Sequence, residues 1–339
     1  MFSFLNQISL IRYLVVWRVN SSLAFFPRYL SVDISRVLGS IISQRLPSGE
    51  KTAWKKSLEP LIIQTESISR SKKEKIKLIP DISWPINAAL FIYPAKRTFG
   101  RDELIFWELK LFGEHADHGL FLEVILPAME EASYSSDPQW NQRNRLWGHF
   151  DIVDIYAARG NHWEPVVKDG RLDLRYRATP FQWQEKLRIR PKSLYRFTRL
   201  NWMSPFDLSD LMFHLNKFRF SFENRSLFVN NAPTLTLLLA SLLYRIDELM
   251  NGRSKIPENI GDFFDDEDRK LCHQVLEKVN KILIKTNNIK PAPSNMPGKW
   301  IGVQRFQAIP VSIIPYLELA SILHIGKQTH FGCGTFVIA

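Results

Sequence analysis

Residues 323–338 read Leu-His-Ile-Gly-Lys-Gln-Thr-His-Phe-Gly-Cys-Gly-Thr-Phe-Val-Ile. Gly326, Gly332 and Gly334 lie within nine residues, interleaved with Lys327 and His330 and preceded by His324. Glycine admits positive φ and close backbone approach. Successive amides in such a loop can form an anion-binding concavity, to which a lysine adds charge. Thr335 to Ile338 is a short apolar run with strand character. The stretch therefore reads as a phosphate-gripping loop that feeds a final strand. It has neither the GxxxxGK[ST] spacing of a P-loop nor the GxGxxG spacing of a dinucleotide site.

Working outward from the loop, the chain alternates strand and helix patterns. Ile8 to Val19 is a strand candidate, rich in Ile, Leu, Val, Tyr and Trp. Asp33 to Leu46 has helical apolar spacing at Ile34, Val37, Leu38, Ile41 and Ile42, with Asp33 able to cap it. Ser48 to Lys77 is polar, poorly periodic and expected to be a loop or insertion. Ala88 to Tyr93 and Leu104 to Phe112 read as strands, Leu120 to Met129 as a helix despite Pro127, and Phe150 to Ala157 as a strand. The order is β-α-β-β-α-β, the ferredoxin-like unit. A basic, proline-containing stretch from Lys168 to Arg199 suggests a boundary, and 1–180 and 181–339 are the expected domains. Beyond it come a strand candidate at Leu194 to Trp202 and a helix opened by Pro233. A second amphipathic helix is expected at Asp265 to Ile284, then a linker at Thr286 to Lys299 and a strand at Trp300 to Ile309. The residue pattern alone gives α+β.

The chain has 339 residues, 45% hydrophobic and 12% aromatic, enough for about two packed domains. Its formal net charge is +11 and its pI about 9.6, which favours a polyanionic partner, nucleic acid before a membrane surface. The two cysteines, Cys272 and Cys333, form no CxxC pair, so neither a cysteine zinc site nor a disulfide framework is expected. That pattern fits a cytoplasmic protein. Arg12 and Arg18 interrupt the apolar N-terminus, and Leu235 to Leu243 is too short to span a bilayer. His115 and His118 are spaced for one helix face, but two histidines without a third ligand are weak evidence for a metal.

The pattern apolar-His-Ile-Gly-Lys-x-Thr-x-Phe-Gly-x-Gly at 323–334, led by Ile314-Pro-Tyr-Leu-Glu-Leu319, resembles the C-terminal signature of the CRISPR precursor-RNA processing endoribonucleases of the RAMP superfamily. Glu103 to Gly113 resembles a strand of the same family. The resemblance implies tandem ferredoxin-like (RRM-like) domains with a C-terminal glycine-rich loop. It implies CRISPR repeat RNA as partner, together with other CRISPR-associated proteins, and neither cofactor, metal nor membrane. The implied reaction is attack of a ribose 2′-OH on the adjacent phosphate, giving a 2′,3′-cyclic phosphate. The implied RNA-binding residues are Gly326, Lys327, Thr329, His330, Gly332 and Gly334. Many family members carry a catalytic histidine near the first helix, where this chain has none. Arg28, Tyr29, Arg36, Lys51 and His324 are the catalytic candidates, since cations stabilise phosphate charge while tyrosine and histidine handle protons. The alternative is a non-catalytic guide-RNA-binding subunit of the same superfamily.

Overall fold

The computed structural model describes residues 3–25, 30–67, 83–93, 96–135, 146–187, 197–209, 211–214, 227–251, 262–293 and 296–339. Two compact units emerge. The first comprises Leu10–Trp183 with His330–Gly332, and the second comprises Gln184–Thr329 with Met1–Ser9 and Cys333–Ala339.

The first unit contains β1 (Leu10–Val19), β2 (Leu23–Phe25), α1 (Leu30–Arg45), α2 (Ser48–Ser67), β3 (Ala88–Ile92), β4 (Thr98–Gly100) and β5 (Leu104–Phe112). They are followed by α3 (His118–Leu120), α4 (Leu126–Tyr134), β6 (Phe150–Arg159), β7 (His162–Lys168) and β8 (Arg171–Leu172). The main sheet runs β3-β5-β1-β6-β7-β8, and every adjacent pair is antiparallel. Its first four strands have the ferredoxin-like order, with α1 and α4 as the two crossovers. Strand alternation sends Ile11, Tyr13, Val15 and Trp17 to the helix-covered face. There Trp17 stacks on Phe150 at 4.2 Å, and Tyr13 on Phe121 at 3.9 Å. The helix expected despite Pro127 forms, but with a π turn at Phe121–Ile125, where the Leu126 amide reaches the Phe121 carbonyl. The wider turn accommodates a proline that has no amide to give and whose ring crowds the preceding turn.

The second unit repeats the plan. It contains β9 (Phe197–Trp202), α5 (Leu211–His214), β10 (Phe228–Val229), β11 (Ala232–Pro233), α6 (Leu235–Asn251), α7 (Asp266–Val279), β12 (Ile284–Pro291), β13 (Trp300–Ile309), α8 (Ile314–Leu323) and β14 (Phe336–Ile338). Its sheet order is β12-β13-β9-β14, again antiparallel throughout. The fold is thus α+β with tandem ferredoxin-like units. Asp265 caps α7 through the Asp268 amide, and Ser3 Oγ bonds Asp265 and Asp268 at 2.7 and 2.6 Å. Arg245, 3% exposed, donates to the Leu323 carbonyl at the end of α8, where a cation complements the helix dipole.

Three expectations need correction. Of the expected loop at Ser48 to Lys77, Ser48–Ser67 is a helix, because helix-forming Lys, Glu, Ala and Leu outweigh weak periodicity, and Trp54 and Leu58 anchor it; residues 68–77 lie outside the described residues. The helix expected to open at Pro233 starts at Leu235, since Pro233 belongs to β11. The expected linker at Thr286 to Lys299 begins as β12: its polar side chains sit on an edge strand, where exposure is tolerated. Among the described residues no helix is long and apolar enough to cross a membrane.

On the sheet face opposite the helices, Arg12, Glu108 and Lys110 form a buried charge cluster, with Arg12 bonded to Glu108 and Lys110 Nζ 3.9 Å away. Burial raises the Glu108 carboxyl, but its two cationic neighbours outweigh that and hold it below the usual range. Burial pushes the Lys110 ammonium down to about 8, against the pull of Glu108. The unfolded lysine keeps its ordinary value near 10.4. Below pH 8 both states carry the proton and the folded state bears the full cost of burying it. Above pH 8 the folded state sheds it first, so this group makes stability rise with pH up to about pH 10. Relative to Lys110→Met, the wild-type urea midpoint should therefore climb between pH 7.5 and 10. A constant difference between the two proteins across that range would refute the assignment.

Candidate functional site

The loop after α8 starts with a left-handed residue. His324 closes the helix at φ +57°, and its Nδ1 lies 2.9 Å from the Cys333 carbonyl oxygen. That contact ties the start of the loop to its end. The Ile325 amide donates to Gly334 O at 3.0 Å, and the Gly334 amide to Pro205 O at 2.9 Å. The Lys327 amide donates to Asp207 O and the Cys333 amide to Gln328 O. Met203 donates to Thr335 O, and Ser321 Oγ to Phe336 O, which leads the chain into β14. The expectation of an anion-binding concavity is not met by the amides of Ile325, Lys327, Cys333 and Gly334. Each of these is committed to a protein carbonyl, where it cannot also serve a phosphate.

The glycines follow the same logic. A Cβ on Gly334, at φ +83°, would sit 2.0 Å from Ile325 O, and one on Gly326, at φ +88°, 2.4 Å from Asp207 O. Close approach at these positions is to the protein's own backbone. Gly332 belongs to the first unit, where a Cβ would lie 2.8 Å from both Leu90 O and Ser31 Oγ.

The sequence candidates separate by burial. His324 and His330 are 0% exposed and Thr329 is 3% exposed. His330 packs in an aromatic group with Phe331 at 3.9 Å and Trp84 at 6.3 Å. Gly332 and Gly334 are buried, whereas Gly326, Lys327 and Gln328 are partly exposed. The accessible part of the loop is therefore 326–328. Lys299 joins it: its Nζ lies 3.1 Å from Asp207 Oδ2, the same residue whose carbonyl accepts from Lys327. Sequence reading missed Lys299, because the connection runs through Asp207, far away in the chain.

Among the catalytic candidates, Arg36 on α1 and Lys51 on α2 are both half-buried in the first unit. Arg28 and Tyr29 lie outside the described residues. They immediately precede α1, whose Ser31 donates from Oγ to the Phe331 carbonyl at 2.8 Å. The start of α1 and loop residues 331–332 thus come together in one unit. His115 and His118 do not converge: the Asn87 amide reaches His115 Nδ1 at 3.3 Å, while His118 Nδ1 lies 2.8 Å from Tyr13 Oη.

If the glycines serve the protein's own backbone, replacing one should destabilise the fold with no RNA present. Gly334→Ala forces a side chain into positive φ, worth roughly 1–3 kcal/mol by itself. The clash with Ile325 O adds to this. Thermal denaturation of the free protein should show a clear drop in Tm. An unchanged Tm would mean that the loop is not packed as described.

The sequence model of CRISPR-associated endoribonuclease Cas6 matches residues 211–336, a span that includes α6, α8 and the glycine loop. No curated protein matches the chain. Among solved structures, a partial Cas6-RT-Cas1–Cas2 complex aligns with a TM-score of 0.51 at 10% identity, over 98% of this chain and 46% of that one. The Cas6-RT-Cas1–Cas2 complex gives the same score and identity over 29% of its chain. This chain therefore spans less than half the length of either. A Cas6 product complex aligns at 11% identity with a TM-score of 0.42, over 97% of this chain and 100% of that one. In its tandem ferredoxin-like fold and its matched C-terminal segment, the chain resembles the CRISPR-associated endoribonucleases of the Cas6 type.

Proposed function

We propose that the protein processes CRISPR repeat RNA, cutting a precursor transcript into guide units. The observation that carries this reading is the family match over 211–336, because it covers the loop and the helix that positions it. A net charge of +11 suits an RNA partner. The two aligned complexes hold Cas6 together with Cas1 and Cas2. By analogy, other CRISPR-associated proteins are proposed as partners.

The proposed chemistry is internal transesterification. A ribose 2′-oxygen attacks the adjacent phosphorus, the P–O5′ bond breaks, and the products are a 2′,3′-cyclic phosphate and a 5′-hydroxyl. One group takes the 2′-proton, another supplies a proton to the leaving oxygen, and a cation stabilises the charged phosphate. Arg36 and Lys51 are the proposed cations, with Arg28 and Tyr29 completing the set before α1. His324 is proposed to act indirectly. Its fully buried ring holds the loop closed through the Cys333 carbonyl and so positions 326–328. On that reading Lys327 and Lys299 contact RNA phosphates.

The test is a cleavage assay on the cognate repeat RNA in EDTA. We expect cleavage to persist there, and to be lost with binding retained when the nucleotide 5′ of the break carries a 2′-deoxy sugar. A metal requirement would overturn the transesterification mechanism. Tight binding without cleavage of the all-ribose RNA would overturn processing in favour of the non-catalytic subunit.

A further inference from the structure

The exposed face of the second sheet presents a charge arrangement that folding alone disfavours. Arg199 on β9 and Arg305 on β13 are direct cross-strand partners, and both are exposed. Arg199 exchanges backbone hydrogen bonds with Ala339 on its other side, at 2.8 and 2.9 Å. A strand residue that bonds one neighbour in this way makes a non-hydrogen-bonded pair with the other, where side chains come closest. The two Cβ atoms are then about 4.5–5.5 Å apart, and like charges so placed repel. Among the described residues neither arginine has a carboxylate partner in an ion pair, and no acidic side chain faces them in the register. Across the sheet the row reads Thr286, Arg305, Arg199, Ala339, and the next row Asn288, Val303, Asn201, Val337. Hydroxyl and amide side chains thus flank the pair, and no acidic side chain does.

We propose that Arg199 and Arg305 are a paired phosphate clamp that grips one phosphodiester of the RNA strand on the second sheet. This rests on RNA as the partner under the proposed function, and it assigns RNA contacts to a surface separate from the glycine loop. Two guanidinium forks side by side can each offer parallel donors to the same phosphate, and its charge relieves their mutual repulsion. Arg305 lies upstream of the loop signature and Arg199 in another part of the chain, so only strand pairing brings them together.

The clamp predicts opposite effects on folding and binding, which a purely structural role would not produce. Arg199→Gln and Arg305→Gln should leave Tm unchanged or raise it in the absence of RNA, because each removes a repulsion. Each should weaken binding of a repeat oligonucleotide, made uncleavable by a 2′-deoxy sugar, by at least about fivefold at moderate salt. Each should also flatten the log–log salt slope by about 0.7. Arg305→Lys should keep most of the slope while losing affinity, since it retains charge but not the fork. Millimolar inorganic phosphate should compete only weakly with the oligonucleotide. If phosphate displaced the oligonucleotide from wild type but not from the Gln variants, the site would be one for free phosphate and the RNA clamp would fall. Unchanged affinity and slope in both Gln variants would overturn the clamp, even if wild type cleaves. A wild type that binds with an arginine-dependent slope but never cleaves would overturn processing and leave the clamp standing.

Discussion

The second unit depends on a backbone reversal within a dozen residues. Leu323 ends α8 deep in that unit, and β14 must pair with β9 from Phe336 onward. The chain between them turns back on itself, bringing Ile325 and Gly334 into mutual backbone contact. Positive φ at Gly326, Gly332 and Gly334 makes that path sterically open. His324 and Gln328 take positive φ without glycine's freedom, a local strain that the surrounding hydrogen bonds hold in place. β14 closes the sheet edge beside β9, so the loop is a condition for the fourth strand as well as a surface feature.

This alters what a glycine-rich signature means here. Such a loop suggests amides aimed at an anion, but the amides of Ile325, Lys327, Cys333 and Gly334 serve carbonyls of the protein. What it leaves for a ligand is its partly exposed edge, Gly326 to Gln328, beside Lys299. The positive charge of the chain is likewise divided by environment. Arg12 and Lys110 are packed beside Glu108 within the first sheet, whereas among the described residues Arg199 and Arg305 on the second sheet are exposed and have no carboxylate partner. Exposed cations of the second kind are open to a polyanion.

Much of the fold was legible because its signals were local. Short runs rich in apolar, β-branched and aromatic residues marked β1, β5 and β6, and spaced apolar residues marked α1, α6 and α7. The helix α2 was hidden by its lysines and serines, which obscure periodicity without opposing helix formation. The strand β12 was hidden because an edge strand need not alternate. The site was less legible, for a physical reason: sequence shows which residue types share a loop but not which way their donors point. His330 looked like a contact residue and lies in an aromatic cluster with Trp84, 246 positions earlier. Lys299 and the Arg199–Arg305 pair emerge only when distant strands are aligned. The absence of a histidine near α1 was readable directly, and it leaves arginine, lysine and tyrosine as the groups proposed there.

Amide hydrogen exchange on the RNA-free protein tests the central claim, that the glycine loop is a packed element of the fold and not a site formed by its ligand. The amides of Ile325 and Gly334 should exchange as slowly as that of Leu238 in α6, because opening them requires the second unit to unfold. Rapid exchange at both positions in the free protein, slowed only when RNA is added, would contradict it.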